Sequence, residues 1–365
     1  MLQGHATPEG TKKFAASSPA GISNYRTFGS LTLSSVGMGT YLGDSDDATD
    51  ATVESAVAES VRRGVNVLDT AINYRSQKAE RALGRAVSKM VQEGAAAREG
   101  LFVSTKGGYV TDDGDAPSDF WGYVREQYVQ RGVIGPGDIS AGYHCMSISF
   151  LEDQLRRSLD NLDMECVDLL YLHNAVEGQK GMPREDLHRR LYEIMEWYES
   201  QRREGRIRYY GMATWDCFRV PPGDSQHLSL EEVVGMAERA GGPDHGMRFV
   251  QLPFNMYLDQ ALRQPTQSLR GGAVPFLEAA RALGIGVFTS VPFMQGRLLE
   301  PGVLPEFGEG PPSVRSLQFL RSAPGVLAPL VGHKAPAHVA ENMAVMGMPP
   351  LTPDQFDLLL NRLLS

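Results

Sequence analysis

Eight times along this chain a short apolar run ends in polar residues and gives way to an amphipathic stretch, and this repeat restricts the fold more than any other feature. The runs are "SSVGMGT" (34–40), "VNVLDT" (65–70), "LFVSTK" (101–106), "VDLLYLH" (167–173), "RYYGMAT" (208–214), "RFVQLPF" (248–254), "GVFTSV" (286–291) and "VLAPLVG" (326–332). Near-continuous apolar runs of this length suit strands buried on both faces. Apolar residues recur with helical spacing over 50–63, 76–93, 150–162, 184–204, 229–240 and 275–283, between the strands. Strands alternating with helices imply a parallel sheet, and eight such units point to a closed (β/α)8 TIM barrel rather than an open doubly wound sheet. Ser149 with Glu152, and Ser229 with Glu232, have capping-box spacing at two helix starts, and Thr352 reads as the N-cap of a closing helix.

Residues 25–365 read as one barrel domain. Residues 1–24 are polar and rich in small side chains, and they read as a flexible arm. Two connections after strand ends are long, 107–149 and 215–228. Loops of this length at a barrel's strand ends serve as lids or pocket walls. The first carries Phe120, Trp121, Tyr123, Tyr128 and Tyr143, which suggests a wide wall for a large organic substrate. A net charge of −9 without a basic block argues against nucleic acid or an anionic membrane surface as partner. Three cysteines without CxxC pairing fit a reducing, cytoplasmic setting, and the N-terminal residues have no apolar core of a secretory signal.

The residues that end the strands are Asp69, Lys106, His173, Thr214, Gln251, Ser290 and Gly332. In a barrel that end is where active sites are built. Asp69 and Lys106, on adjacent strands, can pair, and a phenol near that ammonium, Tyr74, is expected to titrate below its usual value near 10. His173 can orient a substrate oxygen. The four together suit carbonyl reduction, with the tyrosine as proton donor and the hydride drawn from a cofactor, since no side chain supplies one.

These residues also lie in a familiar order. Gly64, Asn66, Asp69, Thr70, Ala71 and Tyr74 follow the pattern Gly-x-Asn-x-x-Asp-Thr-Ala-x-x-Tyr of the aldo-keto reductase superfamily, which the chain resembles over residues 25–342. "VSTK" ending at Lys106, "SLDNLDMECVDLLYLHN" with Asp168 and His173, "GRIRYYGMAT", "QLPFN", "SVPFMQGRLL" and "VGHKAPAHVAEN" resemble the family's later motifs in sequence order. The resemblance implies Tyr74 as general acid tuned by Lys106 and Asp69, with His173 polarising the carbonyl of a small-molecule substrate. It implies a nicotinamide cofactor, NADP (NADPH) in preference to NAD because Lys334 can meet a 2′-phosphate. Gly39 and Thr40 would flank the nicotinamide, and Asp69, Thr214, Trp215 and Gln251 would contact it. Ser290, Pro292, Phe293, Gly296 and Arg297 would follow the dinucleotide. Gly332, His333, Lys334, His338, Glu341 and Asn342 would clamp its adenosine end.

Departures from the family pattern fall mainly on the cofactor side. "RSQKAER" follows Tyr74 where the family has Gly-x-Ser-Glu, so that Glu80 comes late. Thr214-Trp215 replaces Ser-Asn, Ser290 stands in place of a stacking aromatic, and Lys334 and His338 in place of arginines. They keep two other readings open: dehydration or isomerisation by the same acid, or a cofactor-binding regulatory subunit. "GMGTYLG" (37–43) has glycines, but "DSDD" follows where a phosphate-binding helix would begin, so it reads as the first strand-to-helix loop. His144 and Cys145 are adjacent but lack partners at metal spacing, and no metal site is expected.

Overall fold

Eight strands close into a parallel barrel in which each strand pairs with the next in sequence and the eighth returns to the first. The computed structural model describes residues 1–117, 119–333 and 336–364. The strands are β1 (Gly37–Gly39), β2 (Val67–Asp69), β3 (Phe102–Gly107), β4 (Val167–His173), β5 (Ile207–Ala213), β6 (Met247–Pro253), β7 (Gly286–Ser290) and β8 (Val326–Gly332). The helices that cover them include α1 (Pro8–Ser17), α2 (Asp47–Arg62), α3 (Lys78–Gln92), α4 (Ile148–Leu162), α5 (Arg184–Arg203) and α6 (Leu230–Gly241), with α7 (Phe276–Ala282), α8 (Pro312–Ser322), α9 (Pro336–Met343) and α10 (Pro353–Leu364) in the last third.

Side chains alternate along each strand, as the pleat requires. Val67, Phe102, Leu169, Tyr171, Phe249, Phe288, Ala328 and Leu330 point inward and fill the barrel. Their alternates Leu68, Val103, Leu170, Leu172, Val250 and Val287 pack against the helices. Phe249 stacks on Phe288 at 5.6 Å and tilts against Phe102 at 5.3 Å. The interior is therefore solid, and truncating one of these rings to alanine would cost about 3–5 kcal/mol.

The N-terminal residues do not form a flexible arm. Thr7 caps α1 by accepting from Gly10 N, and Thr11 and Ala15 are buried. Ala6 joins the barrel core, and its N–H donates to Asp168 Oδ1 at 2.6 Å. A hairpin not foreseen from sequence, Tyr25–Phe28 with Leu31–Ser34, places Leu31 and Leu33 against the same core. The run at 34–40 is thus divided: Ser34 ends the hairpin and only Gly37–Gly39 enters the barrel. Together the arm and the hairpin close the floor, away from the strand C-termini. Asn66 bridges hairpin and barrel: its Oδ1 accepts from Ser34 N, and its Nδ2 donates to Thr32 O and Gly100 O. Asp168 likewise serves the floor, accepting from Ala6 N, Val103 N and Arg98.

Two caps hold as expected. Ser229 accepts from Glu232 N, and Thr352 and Gln355 exchange bonds reciprocally. Ser149 is not a cap: α4 begins at Ile148, and the Ser149 hydroxyl donates to Val133 O in the loop before it. In "DSDD", Asp46 caps α2 by accepting from Thr49 N.

Candidate active site

The inward rows of the core continue upward into polar residues. Val67 leads to Asp69, Phe102 and Ser104 to Lys106, and Leu169 and Tyr171 to His173. Phe249 leads to Gln251, Phe288 to Ser290, and Ala328 and Leu330 to Gly332. The same alternation that packs the barrel therefore gathers these side chains at its mouth. A cavity of about 470 Å³ opens there.

Lys106 is fully buried, and its Nζ donates to Asp69 Oδ2 at 2.5 Å and to Thr70 O at 2.7 Å. Asp69 Oδ1 accepts from Ser104 Oγ at 2.7 Å and from Gln251 Nε2 at 3.0 Å. Burial opposes the Lys106 charge, but Asp69 and the adjacent phenol outweigh it and hold its pKa above the ordinary lysine value. An ion pair this deep is stable only because both partners are hydrogen-bonded elsewhere as well.

Tyr74 lies over this pair, with the Lys106 ammonium 4.7 Å from its ring centroid. Its own titration runs opposite to the expectation from sequence. Burial raises the phenol pKa; Lys106 pulls it down but does not prevail, and the value ends above 10. Low dielectric outweighs the neighbouring charge because that charge is already neutralised by Asp69. Tyr74 is therefore held protonated at neutral pH.

His173 ends β4, and its ring meets Tyr74 edge-on at 5.9 Å. Burial first, then the Lys106 charge, drives its pKa well below 6.5, so the imidazole is neutral. Its Nδ1 is buried without a partner among the described residues. Behind it, His144 Nε2 donates to His173 O at 2.7 Å, and its Nδ1 accepts from Gln179 Nε2 at 3.0 Å. Both ring nitrogens are engaged, so His144 braces His173 and offers no lone pair to a metal. A Cβ at Gly108 or Gly178 would lie 2.5 Å from the His144 ring, so glycine is required on both sides. Tyr109 meets both histidine rings edge-on, at 5.1 and 5.2 Å, and its hydroxyl accepts from Asn174 Nδ2.

Of the remaining residues singled out from sequence, Gly39, Thr40, Thr214, Trp215, Pro292, Phe293, Gly296, His338, Glu341 and Asn342 line the cavity with Asp69, Gln251, Ser290 and Gly332. Arg297 is exposed next to Gly296. His333 is buried, and its Nδ1 accepts from Asn342 Nδ2 at 3.2 Å. Lys334 lies outside the described residues. Thr214 Oγ1 is buried and has no oxygen or nitrogen partner among the described residues, and the next three N–H groups, of Trp215, Asp216 and Cys217, all donate to Glu177 Oε1. The loop after β7 carries left-handed backbone at Val291, Met294, Gln295 and Gly296, an unusual cluster of the kind found at functional sites.

Sequence reasoning missed Tyr41, Asn73, Tyr109, Asn174, Gln295 and Leu299, which also line the cavity. Asn174 directly follows the strand-ending His173, the one signal that marks it. The aromatic wall expected from 107–149 does not form: Tyr128 is fully buried in a small core of that segment, and Tyr123 is hydrogen-bonded to Gln77 and Arg157. Phe120, Trp121 and Tyr143 cluster with one another, outside the cavity lining.

A polar cluster and cavity at the strand C-termini of a closed eight-stranded parallel barrel place the molecule in the (β/α)8 class. Within that class the chain belongs to the aldo/keto reductase family, whose model matches residues 35–302. A curated relative, the uncharacterized oxidoreductase YqkF of Bacillus subtilis (strain 168), is 25% identical over 160 residues; the match spans 44% of this chain and 39% of that protein. Among solved structures, an aldo/keto reductase from Klebsiella pneumoniae in complex with NADP and acetate is similar with a TM-score of 0.62 at 18% identity, covering 93% of this chain and 95% of that one. The glycerol dehydrogenase of Gluconobacter oxydans gives 0.61 at 16% identity, with 93% and 95% covered. Likeness at these identities establishes the fold.

Proposed function

We propose that this chain is an oxidoreductase that reduces an aldehyde or ketone to an alcohol, with NADPH as the preferred reductant. The observation that carries the reading is the buried Asp69–Lys106 pair beneath Tyr74, with neutral His173 beside them at one cavity mouth. The cavity suits a dinucleotide. It runs from this mouth to Gly332, His338 and Asn342, Thr214 offers in its wall a hydroxyl with no oxygen or nitrogen partner among the described residues, and a Cβ at Gly296 would meet nothing within 4 Å. Arg297, exposed beside Gly296, supplies a cation for a phosphate group. The structure of a family relative with NADP supports the choice of cofactor.

A bound nicotinamide supplies hydride to the carbonyl carbon. The protein's part is to hold the carbonyl oxygen and to give it a proton. Neutral His173 donates one N–H to that oxygen and orients it. Tyr74, a phenol that burial keeps from ionising beside Lys106, releases its proton as charge develops on the oxygen, and Lys106 then stabilises the phenolate. Asp69 keeps the ammonium charged and fixed, and Ser104 and Gln251 fix Asp69.

The test is NADPH and NADH consumption across a panel of aldehydes and ketones, with Tyr74→Phe as the diagnostic variant. Loss of about 10²- to 10⁴-fold in kcat with nucleotide binding retained is expected. Full activity in Tyr74→Phe would overturn the assignment of the acid.

A further inference from the structure

Tyr74 is followed by three residues in left-handed backbone, none of them glycine: Arg75 (φ 50), Ser76 (φ 51) and Gln77 (φ 71). Consecutive residues of this kind are rare, because a β-carbon crowds the following carbonyl there. The turn therefore needs external support, and beside the contacts of Gln77 with Asn161 and Tyr123 it has two main sources. Arg75 Nη1 donates to Asp50 Oδ1 at 2.7 Å, and both side chains are buried. The first leg of the long segment after β3 supplies the rest: Gly114 N donates to Ser76 O at 2.8 Å, and Gln77 Nε2 to Asp112 O at 2.9 Å. Lys78 pairs with Asp115 and Asp47, and Arg81 with Asp113 and Asp115. Arg75 Nη1 also reaches Asp44 O at 3.4 Å, while among the described residues its Nε and Nη2 have no partner, so its ion pair is with Asp50.

We infer that Asp50 and Arg75 are positioning residues for Tyr74. The buried ion pair holds the strained turn that fixes the phenol over Lys106 and against His173, at a position where the family pattern has glycine. The acidic leg 112–115 closes the same clamp from the other side. The first leg of the long segment after β3 thus acts on the acid itself. The inference rests on the proposed role of Tyr74 in carbonyl reduction.

Arg75→Ala and Arg75→Gly test it as a pair. Both remove the buried cation, but only glycine takes positive φ without crowding. Arg75→Ala should lower kcat about tenfold relative to Arg75→Gly, with KM and the NADPH dissociation constant alike in the two. Asp50→Asn, which removes the carboxylate charge that Arg75 shares with Lys78 and Arg85, should lower kcat by up to about 100-fold in folded protein. Equal kcat in the Ala and Gly variants, or a wild-type kcat in Asp50→Asn, overturns the inference. Tyr74→Phe run alongside separates the two failures. If it is inactive while the Arg75 pair is equal, only the clamp is wrong; if it is fully active, the acid assignment falls and the clamp with it.

Discussion

Replacing His144 by glutamine should flatten the acid dependence of stability by a calculable amount. His144 is enclosed by Gly108 and Gly178, and burial holds its pKa at about 4, against 6.5 for an exposed imidazole. The folded state therefore refuses a proton that the unfolded chain accepts. The contribution to stability is complete above pH 6.5 and is lost as pH falls from there toward 4. At pH 5 the unfolded imidazole is almost wholly protonated while the folded one is about one-tenth protonated, a loss of about 2 kcal/mol; below pH 4 the loss reaches about 3 kcal/mol. Glutamine does not titrate, yet its amide N–H can donate to His173 O and its oxygen can accept from Gln179.

The unfolding free energy of wild type, measured relative to His144→Gln, should accordingly fall by about 2 kcal/mol between pH 7 and pH 5. For a chain of this length, at about 2 cal/mol/K of unfolding entropy per residue, that is a relative Tm change of about 2–3 °C. Burial also depresses His173 and His333, the latter to about 4, so both proteins lose stability in acid; the difference between them reads His144 together with its charge coupling to His173. Circular-dichroism melts and denaturant titrations at pH 7, 6 and 5 read it directly. Parallel pH dependence in the two proteins would refute the assignment of His144 as a buried neutral brace.

Two further perturbations probe the supports of the site. Glu177→Gln halves the strength of the bonds that hold the N–H groups of Trp215, Asp216 and Cys217, and with them Thr214. A rise of about 5- to 30-fold in the nucleotide dissociation constant, read by fluorescence titration, is expected, and unchanged affinity would show that this loop does not hold the cofactor. Deleting residues 1–18 removes α1 and the Ala6 N–H donor to Asp168. Loss of at least about 2 kcal/mol in denaturant unfolding is expected, and an unchanged midpoint would mean that the N-terminal segment does not support the floor.

The barrel is readable from sequence because its strands are buried on both faces and so declare themselves as unbroken apolar runs. The expected runs 167–173 and 326–332 coincide with β4 and β8. The floor is not readable in that way. Ala6 and Thr11 are small or polar, and only contact with Asp168 and the hairpin turns them into buried residues. The site residues could be named because most lie at or near strand C-termini and Tyr74 falls in the motif that follows one, but their electrostatics could not be. Proximity to a lysine alone says that the Tyr74 pKa falls; burial of the phenol, with Asp69 opposing Lys106, decides that it rises. The aromatics of 107–149 were legible as a group and misassigned as a wall, because spacing does not tell a ring turned into a private core from one turned toward substrate. Arg75, the residue that breaks the family pattern, marks the feature that sequence could not interpret at all: its meaning lies in a backbone angle and in an aspartate 25 positions earlier.

The motif that contains Asp69 shows why floor and mouth must be considered together. Asn66 and Asp69 are three residues apart, and β2 between floor and mouth is only Val67–Asp69. At roughly 3.3 Å per residue the two side chains stand about 10 Å apart along one rigid segment. Asn66 fixes the lower end of that segment through bonds to Ser34, Thr32 and Gly100. A slip of one residue there would turn Asp69 from the cavity to the helices, since alternate side chains face opposite ways. The same holds on β4, where Asp168 is tied to Ala6, Arg98 and Val103 at the floor and His173 ends the strand at the mouth. The polar residues at the floor therefore set the register that delivers Asp69 and His173 to one cavity, and the N-terminal segment belongs to the positioning of the site although none of its residues lines it.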